Sequence, residues 1–385
     1  EVSASEVSAS EVSASEVSDM QTLRGRNPNP LPPVSSEFAA NLKEAFFMTK
    51  RRGKAIGILL SLAMLVGLVS GLSLTAAAAA GPYFDHVGVT GDGVTAYQDY
   101  AIGTTTGTVC DVEVTFAGWY LDDKYTGDPV TSDFDQVNGT HYYAKWTLNG
   151  TTVVTGTVTI KDGVISPTGI QGSGIAWDSS TSTLTLTDAA ILVPNGTGID
   201  ADDDLNIVLE GSSTVIGVGR NDAFGVYTDG DLAIRCGTNA GNLTVTGYAK
   251  SIYAAGSSLT IRDKGTAVTA TGHWDGIGAD NVVTISGGAV VTATGEESTG
   301  IYAGNGLVIR GEGTEVTASG DWRGMHIQNG DMTVSGGAVV TVTGESDHGI
   351  DVSGDTTIRD KGTAVTASGK ESGINTYGDV TISGG

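Results

Sequence analysis

The feature that most limits what this chain can become is a repeat. A small residue followed by an aliphatic one recurs as Gly198-Ile199, Gly225-Val226, Ser251-Ile252, Gly276-Ile277, Gly300-Ile301, Gly324-Met325, Gly349-Ile350 and Gly373-Ile374. The intervals are 27, 26, 25, 24, 24, 25 and 24 residues. A period in the twenties signals a solenoid, in which each unit buries its apolar face only against its neighbours. Each unit carries three short alternating runs. One reads Gly300-Ile301-Tyr302-Ala303, then Leu307-Val308-Ile309, then Glu315-Val316-Thr317-Ala318-Ser319-Gly320. Alternation with a period of two is strand patterning. It places Ile301, Ala303, Leu307, Ile309, Val316 and Ala318 inside, and Ile277, Ala279, Val283, Ile285, Val291 and Ala293 one unit earlier. Small and branched residues keep the same slots, so stacked units bury one continuous column.

Three strands per 24–27-residue coil describe a single-stranded parallel β-helix over 149–385, right-handed by default. The Leu-x-x-Leu-x-Leu frame of leucine-rich repeats and the six-residue period of a left-handed hexapeptide helix are both absent. Of the 57 glycines, 52 lie in residues 81–385, and positive φ at the coil corners is the expected reason. A finer period spans two coils. The run from Ile261 to Ala270, with Arg262-Asp263-Lys264-Gly265 at its turn, returns almost unchanged from Ile358 to Ala367. Between these copies lie Ile285-Ser286-Gly287-Gly288-Ala289-Val290 and Val334-Ser335-Gly336-Gly337-Ala338-Val339, whose turns are bare. The last copy stops at Ser383-Gly384-Gly385, so a solenoid truncated at its C-terminus is expected.

Charge separates the chain into two chemically different parts. Residues 1–80 hold seven acidic and seven basic residues, so the whole net charge of −24 falls in residues 81–385. Such an acidic body argues against nucleic-acid binding, which needs lysine and arginine to neutralise phosphate. Cys110 and Cys236 are too few for a disulfide scaffold and fall in different segments. Cys236 follows Leu232 and Ile234 at even steps, which predicts an inward position.

Residues 1–47 form a low-complexity leader. Glu-Val-Ser-Ala-Ser repeats from Glu1 to Ser15, a period that fits neither helix nor strand, and disorder is expected. Met48-Thr49-Lys50-Arg51-Arg52-Gly53-Lys54 is a basic start, Ala55 to Leu74 carries no charge, and Ala76–Ala80 offers small residues for cleavage. Residues 48–80 therefore read as a secretory signal peptide with one hydrophobic helix. A retained membrane anchor is the rival, since about twenty apolar residues can span a bilayer. On this reading Met48 is the start, residues 1–47 are spurious upstream translation, and the protein is secreted or held at a bacterial cell surface, touching the membrane only through this segment.

Residues 81–148 alternate aromatic and β-branched residues around Gly and Asp turns, which predicts short strands. The segment contains Phe116-Ala117-Gly118-Trp119-Tyr120 and, about 25 residues on, Tyr143-Ala144-Lys145-Trp146. This pair resembles the Listeria–Bacteroides repeat, the small β-grasp B-repeat of internalin-type surface proteins. The resemblance implies a spacer or adhesion module. On residue type alone, Trp119 and Trp146 are expected to form the core of so small a unit.

Further on, Gly174-Ile175-Ala176-Trp177-Asp178 and Ser182-Thr183-Leu184-Thr185-Leu186-Thr187 lead into Leu205-Asn206-Ile207-Val208-Leu209-Glu210-Gly211. This order resembles the carbohydrate-binding β-helix proteins of clostridial and related gut bacteria, and covers roughly 150–385. The resemblance implies a polysaccharide-binding surface with Ca²⁺ as a candidate ligand, although no family calcium ligand can be placed. Asp200, Asp202, Asp203 and Asp204 cluster in one turn and are candidate oxygen ligands; a solvated acidic loop is the blander reading.

The register also assigns the outward positions. The second residue of the first strand gives Tyr227, Tyr253, Gly278, Tyr302, His326, Asp351 and Asn375. The loop before that strand carries Tyr248, Trp274, Glu297, Trp322 and Asp347. Trp274 and Trp322 fall two coils apart, about 10 Å at the usual strand spacing, a step suited to alternate sugar rings. Tyr227, Tyr248, Tyr253, Trp274, Tyr302 and Trp322 are thus the candidate glycan contacts, against the alternative that they merely cover neighbouring turns. A file of threonines on the third strand, Thr269, Thr292, Thr317, Thr341 and Thr366, resembles some ice-binding surfaces and equally suits any exposed strand. No polygalacturonase-like Asn-Thr-Asp or Asp-Asp set and no His-x-x-x-His spacing is present, so an enzyme is not expected. Carbohydrate binding is the leading expectation. An adhesin or stalk that binds host protein comes second, and a polysaccharide lyase or hydrolase third.

Overall fold

A computed structural model describes residues 83–85, 106–125, 127–130, 141–167, 170 and 173–384. The pentad leader and the signal segment lie outside the described residues. The described chain is all-β, with no helix, and residues 199–383 build a parallel β-solenoid.

Each of the first seven coils contributes one strand to each of three sheets, and the eighth contributes to the first two among the described residues. In the first sheet Ile199, Val226, Ile252, Ile277, Ile301, Met325, Ile350 and Ile374 stand in one parallel file, giving eight coils. These are the aliphatic residues that define the sequence repeat. The second sheet aligns Leu205, Leu232, Leu259, Val283, Leu307 and Met332. The third aligns Val215, Val245, Ala270, Ala293, Ala318 and Val342. In the first two coils the second and third strands run together as Leu205–Gly217 and Leu232–Gly247. All twelve residues expected to face inward are at most 2 % exposed, and they join one apolar column from Val154 to Ile358. Cys236 is buried as expected, with Sγ 3.3 Å from the Lys264 carbonyl.

The N-terminal segment runs into the solenoid without a break. Thr106–Val109, Val112–Tyr120 and His141–Leu148 pair antiparallel. Positive φ at both Cys110 and Asp111 makes the first connection a tight two-residue hairpin, and Asn149-Gly150 makes another after Leu148. Thr151–Val154 then pairs antiparallel with His141–Leu148 and parallel with Ala190–Val193, which starts the third sheet. Trp119 and Trp146 are core residues, 2 % and 1 % exposed. Their cluster includes Ala190, Leu192 and Ile216, residues of the solenoid's third sheet.

Glycine serves two different purposes, only one of them foreseen. At the turn between second and third strands the φ > 0 expectation holds, for example at Gly287 and Gly288. Where the third strand hands over to the next coil, the glycines are not in the left-handed region. A Cβ on Gly320 would lie 2.1 Å from the Arg323 carbonyl oxygen and 2.4 Å from that of Ser298. Space, not backbone torsion, demands glycine there.

The two-coil period has a hydrogen-bonding cause. In the longer, charged turns a threonine hydroxyl folds back to the carbonyl four residues earlier: Thr266 to Arg262, Thr314 to Arg310 and Thr363 to Arg359. The same oxygen accepts the N–H of the preceding coil's bare turn, from Gly288 to Thr314 and from Gly337 to Thr363, each at 3.0 Å. In the other direction, Gly311 N–H donates to the Ser335 carbonyl of the following coil. Thr314 is fully buried. Thr314→Val therefore strands a buried N–H and a part-buried carbonyl, and should cost about 2 kcal/mol in urea unfolding. Thr314→Ser should recover most of the loss; equal midpoints for valine and wild type would refute the pairing.

Candidate functional site

The first sheet presents the outward file that the register assigned, with Tyr227, Tyr253, Gly278, Tyr302, His326, Asp351 and Asn375 as successive neighbours, and Asp200 precedes Tyr227 in it. The tyrosines are half-buried and fixed at their hydroxyls. Tyr227 donates to Asp229 Oδ1 at 2.6 Å, Tyr253 to Asp280 Oδ1 at 2.5 Å, and Tyr302 to Gln328 Oε1. The bond to Asp229, with burial behind it, pushes the Tyr227 phenol up to about 12. Burial first and Asp280 second raise those of Tyr253 and Tyr302. All three stay neutral at physiological pH and work as planar, anchored surfaces.

Gly278 interrupts the file, and a lysine from the preceding coil crosses the gap. Lys250 Nζ lies 3.9 Å from the Tyr253 ring centroid and 4.9 Å from that of Tyr302, and 3.3 Å from Asp275 Oδ2. A Cβ at residue 278 would crowd Tyr253 Cδ2 at 3.1 Å and touch Lys250 Cδ at 3.4 Å, so the lysine stem lies directly against the glycine. Before the gap, Phe224 packs on Tyr227 at 4.9 Å and stacks on Tyr253 at 5.7 Å. Beyond it, Tyr302 meets the edge of His326 at 5.8 Å.

The turn entering the first sheet forms a second line beside this file. Tyr248 packs on His273 at 4.6 Å, and His273 meets Trp274 edge-on at 5.5 Å. Two coils on, Trp322 lies under the Arg323 guanidinium at 3.9 Å and 6.3 Å from His326. Trp274 and Trp322 are 47 % and 43 % exposed, in contrast to the half-buried tyrosines. Arg323 bridges two carboxylates, with Nε 2.6 Å from Asp347 Oδ2 and Nη1 2.8 Å from Asp351 Oδ2. Asn375 Nδ2 donates to the other Asp351 oxygen at 2.7 Å. Burial, and then the Arg323 charge, hold the His326 imidazole below its ordinary range, so it is neutral at pH 7.

The six aromatic candidates thus lie on one face and its edge, and Lys250 joins the two parts of the tyrosine file across Gly278. Phe224, Lys250, His273 and Arg323 also belong there. Their signal in the sequence was position: each precedes or opens a first strand.

The four candidate aspartates do not converge. Asp200 belongs to the first-sheet file and pairs with Lys161 Nζ at 3.5 Å. Asp202 Oδ1 is buried with no hydrogen-bond partner. Asp203 contributes its backbone carbonyl, which accepts the Thr228 hydroxyl at 2.6 Å. Asp204 Oδ1 accepts the N–H of Asp231 one coil later at 2.9 Å. That last contact recurs from Asp231 to Ser258, from Asp331 to Asp355 and from Asp355 to Asp379. An aspartate at the Asp204 position of the turn is therefore a rung that ties one coil to the next.

Fold and face together define a parallel β-solenoid with an aromatic-lined first sheet. No family model, curated protein or solved structure matches the chain.

Proposed function

We propose that this chain is an exported surface protein that binds polysaccharide along the first sheet and the edge beside it. The observation that carries this reading is the pair Trp274 and Trp322, exposed two coils apart on one edge of a rigid scaffold. An indole held flat at an outer surface offers an apolar face for a pyranose ring. Asp229, Asp280, Gln328 and Asn375 set hydrogen-bonding groups nearby, as sugar hydroxyls require. The body's negative charge favours neutral over acidic glycans. The resemblances to carbohydrate-binding β-helix proteins and to internalin-type B-repeats support the same role. The basic, apolar, alanine-ending segment 48–80 supports export. Ca²⁺ enters this reading only through the resemblance.

A glycan array with and without Ca²⁺ is the first test, followed by calorimetry on the best neutral glycan. Each stacked ring should contribute about 0.5–1.5 kcal/mol, so Trp274→Ala with Trp322→Ala should weaken binding by about five- to 150-fold. Unchanged binding in the double variant would remove these residues from the site. An adhesin that binds host protein is the second reading, favoured by the module packed against the solenoid's start; it would gain from an array with no hits. Binding without turnover is proposed, and release of shortened sugars would replace it with a lyase or hydrolase.

A further inference from the structure

Further along the same edge, one coil beyond Trp322, an imidazole and two carboxylates meet. Asp347, His348 and Glu371 each place one ligand atom within 4.8 Å of the others. We infer that they form a binding site for a transition-metal dication of the zinc class.

The spacing suits such an ion. Ligands at zinc's 2.0–2.2 Å stand roughly 3.3 Å apart across a tetrahedral edge. Asp347 Oδ1 and His348 Nε2 are already 3.3 Å apart. Glu371, from the following coil, is held near them through its backbone N–H, which donates to the Asp347 carbonyl at 3.0 Å. Its exposed side chain already brings a carboxylate oxygen within 4.8 Å of both other ligand atoms, to supply the third position, and water completes the fourth.

The far sides of two ligands are also fixed. His348 Nδ1 lies 2.9 Å from Ser372 Oγ. The tautomer that donates Nδ1–H to Ser372 leaves the Nε2 lone pair facing Asp347. Asp347 Oδ2 is held by Arg323 at 2.6 Å, so Oδ1 is the oxygen turned to the site. Outer partners of this kind orient metal-binding histidines and carboxylates. The Arg323 charge is shared with Asp351, which keeps the neighbourhood anionic. An imidazole among two carboxylates selects a borderline-soft ion over Ca²⁺, which prefers six to eight oxygens. Any proton on Nε2 leaves to solvent as the metal takes the lone pair.

The test uses the untagged full chain and Zn²⁺ in calorimetry and equilibrium dialysis, and it does not depend on any glycan. The expected result is one Zn²⁺ per chain, a higher unfolding midpoint with Zn²⁺, and no displacement by excess Ca²⁺. His348→Gln and Glu371→Gln should each weaken binding by tenfold or more, and Ser372→Ala by about tenfold through the lost anchor. Glu371 is exposed, so its variant tests the site in an undisturbed fold. Absence of bound Zn²⁺, or wild-type affinity in both His348→Gln and Glu371→Gln, would overturn the assignment.

Discussion

Gly320→Ala is expected to lower the unfolding free energy by about 3 kcal/mol or more, the upper end for an overpacking change. The added methyl would sit 2.1 Å from the Arg323 carbonyl oxygen and 2.4 Å from that of Ser298. Both are backbone atoms in or beside paired strands, so neither can swing aside like a side-chain tip. The residue has no left-handed φ, and the cost is therefore one of space. Gly156→Ala is the matched control. A methyl there would meet no atom within 4 Å and the φ is ordinary, so the change should alter stability by no more than about 0.5 kcal/mol. Urea unfolding of both variants reads the difference. Equal midpoints would mean that the coil-to-coil handover tolerates a side chain, and that the recurrence of glycine there has another cause.

Arg323→Ala should cost nearly as much, about 3 kcal/mol. The guanidinium, 15 % exposed in its side chain, bridges Asp347 and Asp351, which are 13 % and 8 % exposed. Removing the cation leaves two carboxylates close together and largely out of water, which is the expensive way to break a buried ion pair. Arg323→Lys should recover only part of the loss, because one ammonium cannot replace a planar fork reaching two carboxylates. Arg262 gives the comparison. Its pair with Asp263 spans 3.1 Å but is 45 % and 42 % exposed, so Arg262→Ala should cost at most about 1 kcal/mol. If thermal melts place Arg323→Ala and Arg262→Ala together, the bridge contributes little.

The coils were legible because two signals agreed at every unit. Period-two alternation set the inward residues, and the recurring Gly-Ile step set the register between units. The same register brought Tyr227, Tyr253 and Tyr302 into their file. Depth was harder to read. Alternation says that a tyrosine faces outward, but not that its hydroxyl is tied to Asp229 or Asp280. Lys250 was missed because its place depends on a side chain that Gly278 lacks, one coil away. The acidic turns read as solvated or ligating because a carboxylate accepting a backbone N–H 24–27 residues later leaves no local pattern. Asp347, His348 and Glu371 escaped for the same reason: the 23-residue step from His348 to Glu371 vanishes only when coils stack.

The alternating turns also govern how such a solenoid can change length. A threonine turn fits the bare turn before it through the threonine oxygen, and the bare turn after it through a serine carbonyl. Loss or gain of one coil would set two like turns against each other, with one hydroxyl unmatched or two glycine N–H groups unanswered. Insertions and deletions that preserve the stack are therefore expected as coil pairs, about 49 residues at a time, the interval from Met325 through Ile350 to Ile374. In this molecule the unit of growth is twice the unit of folding.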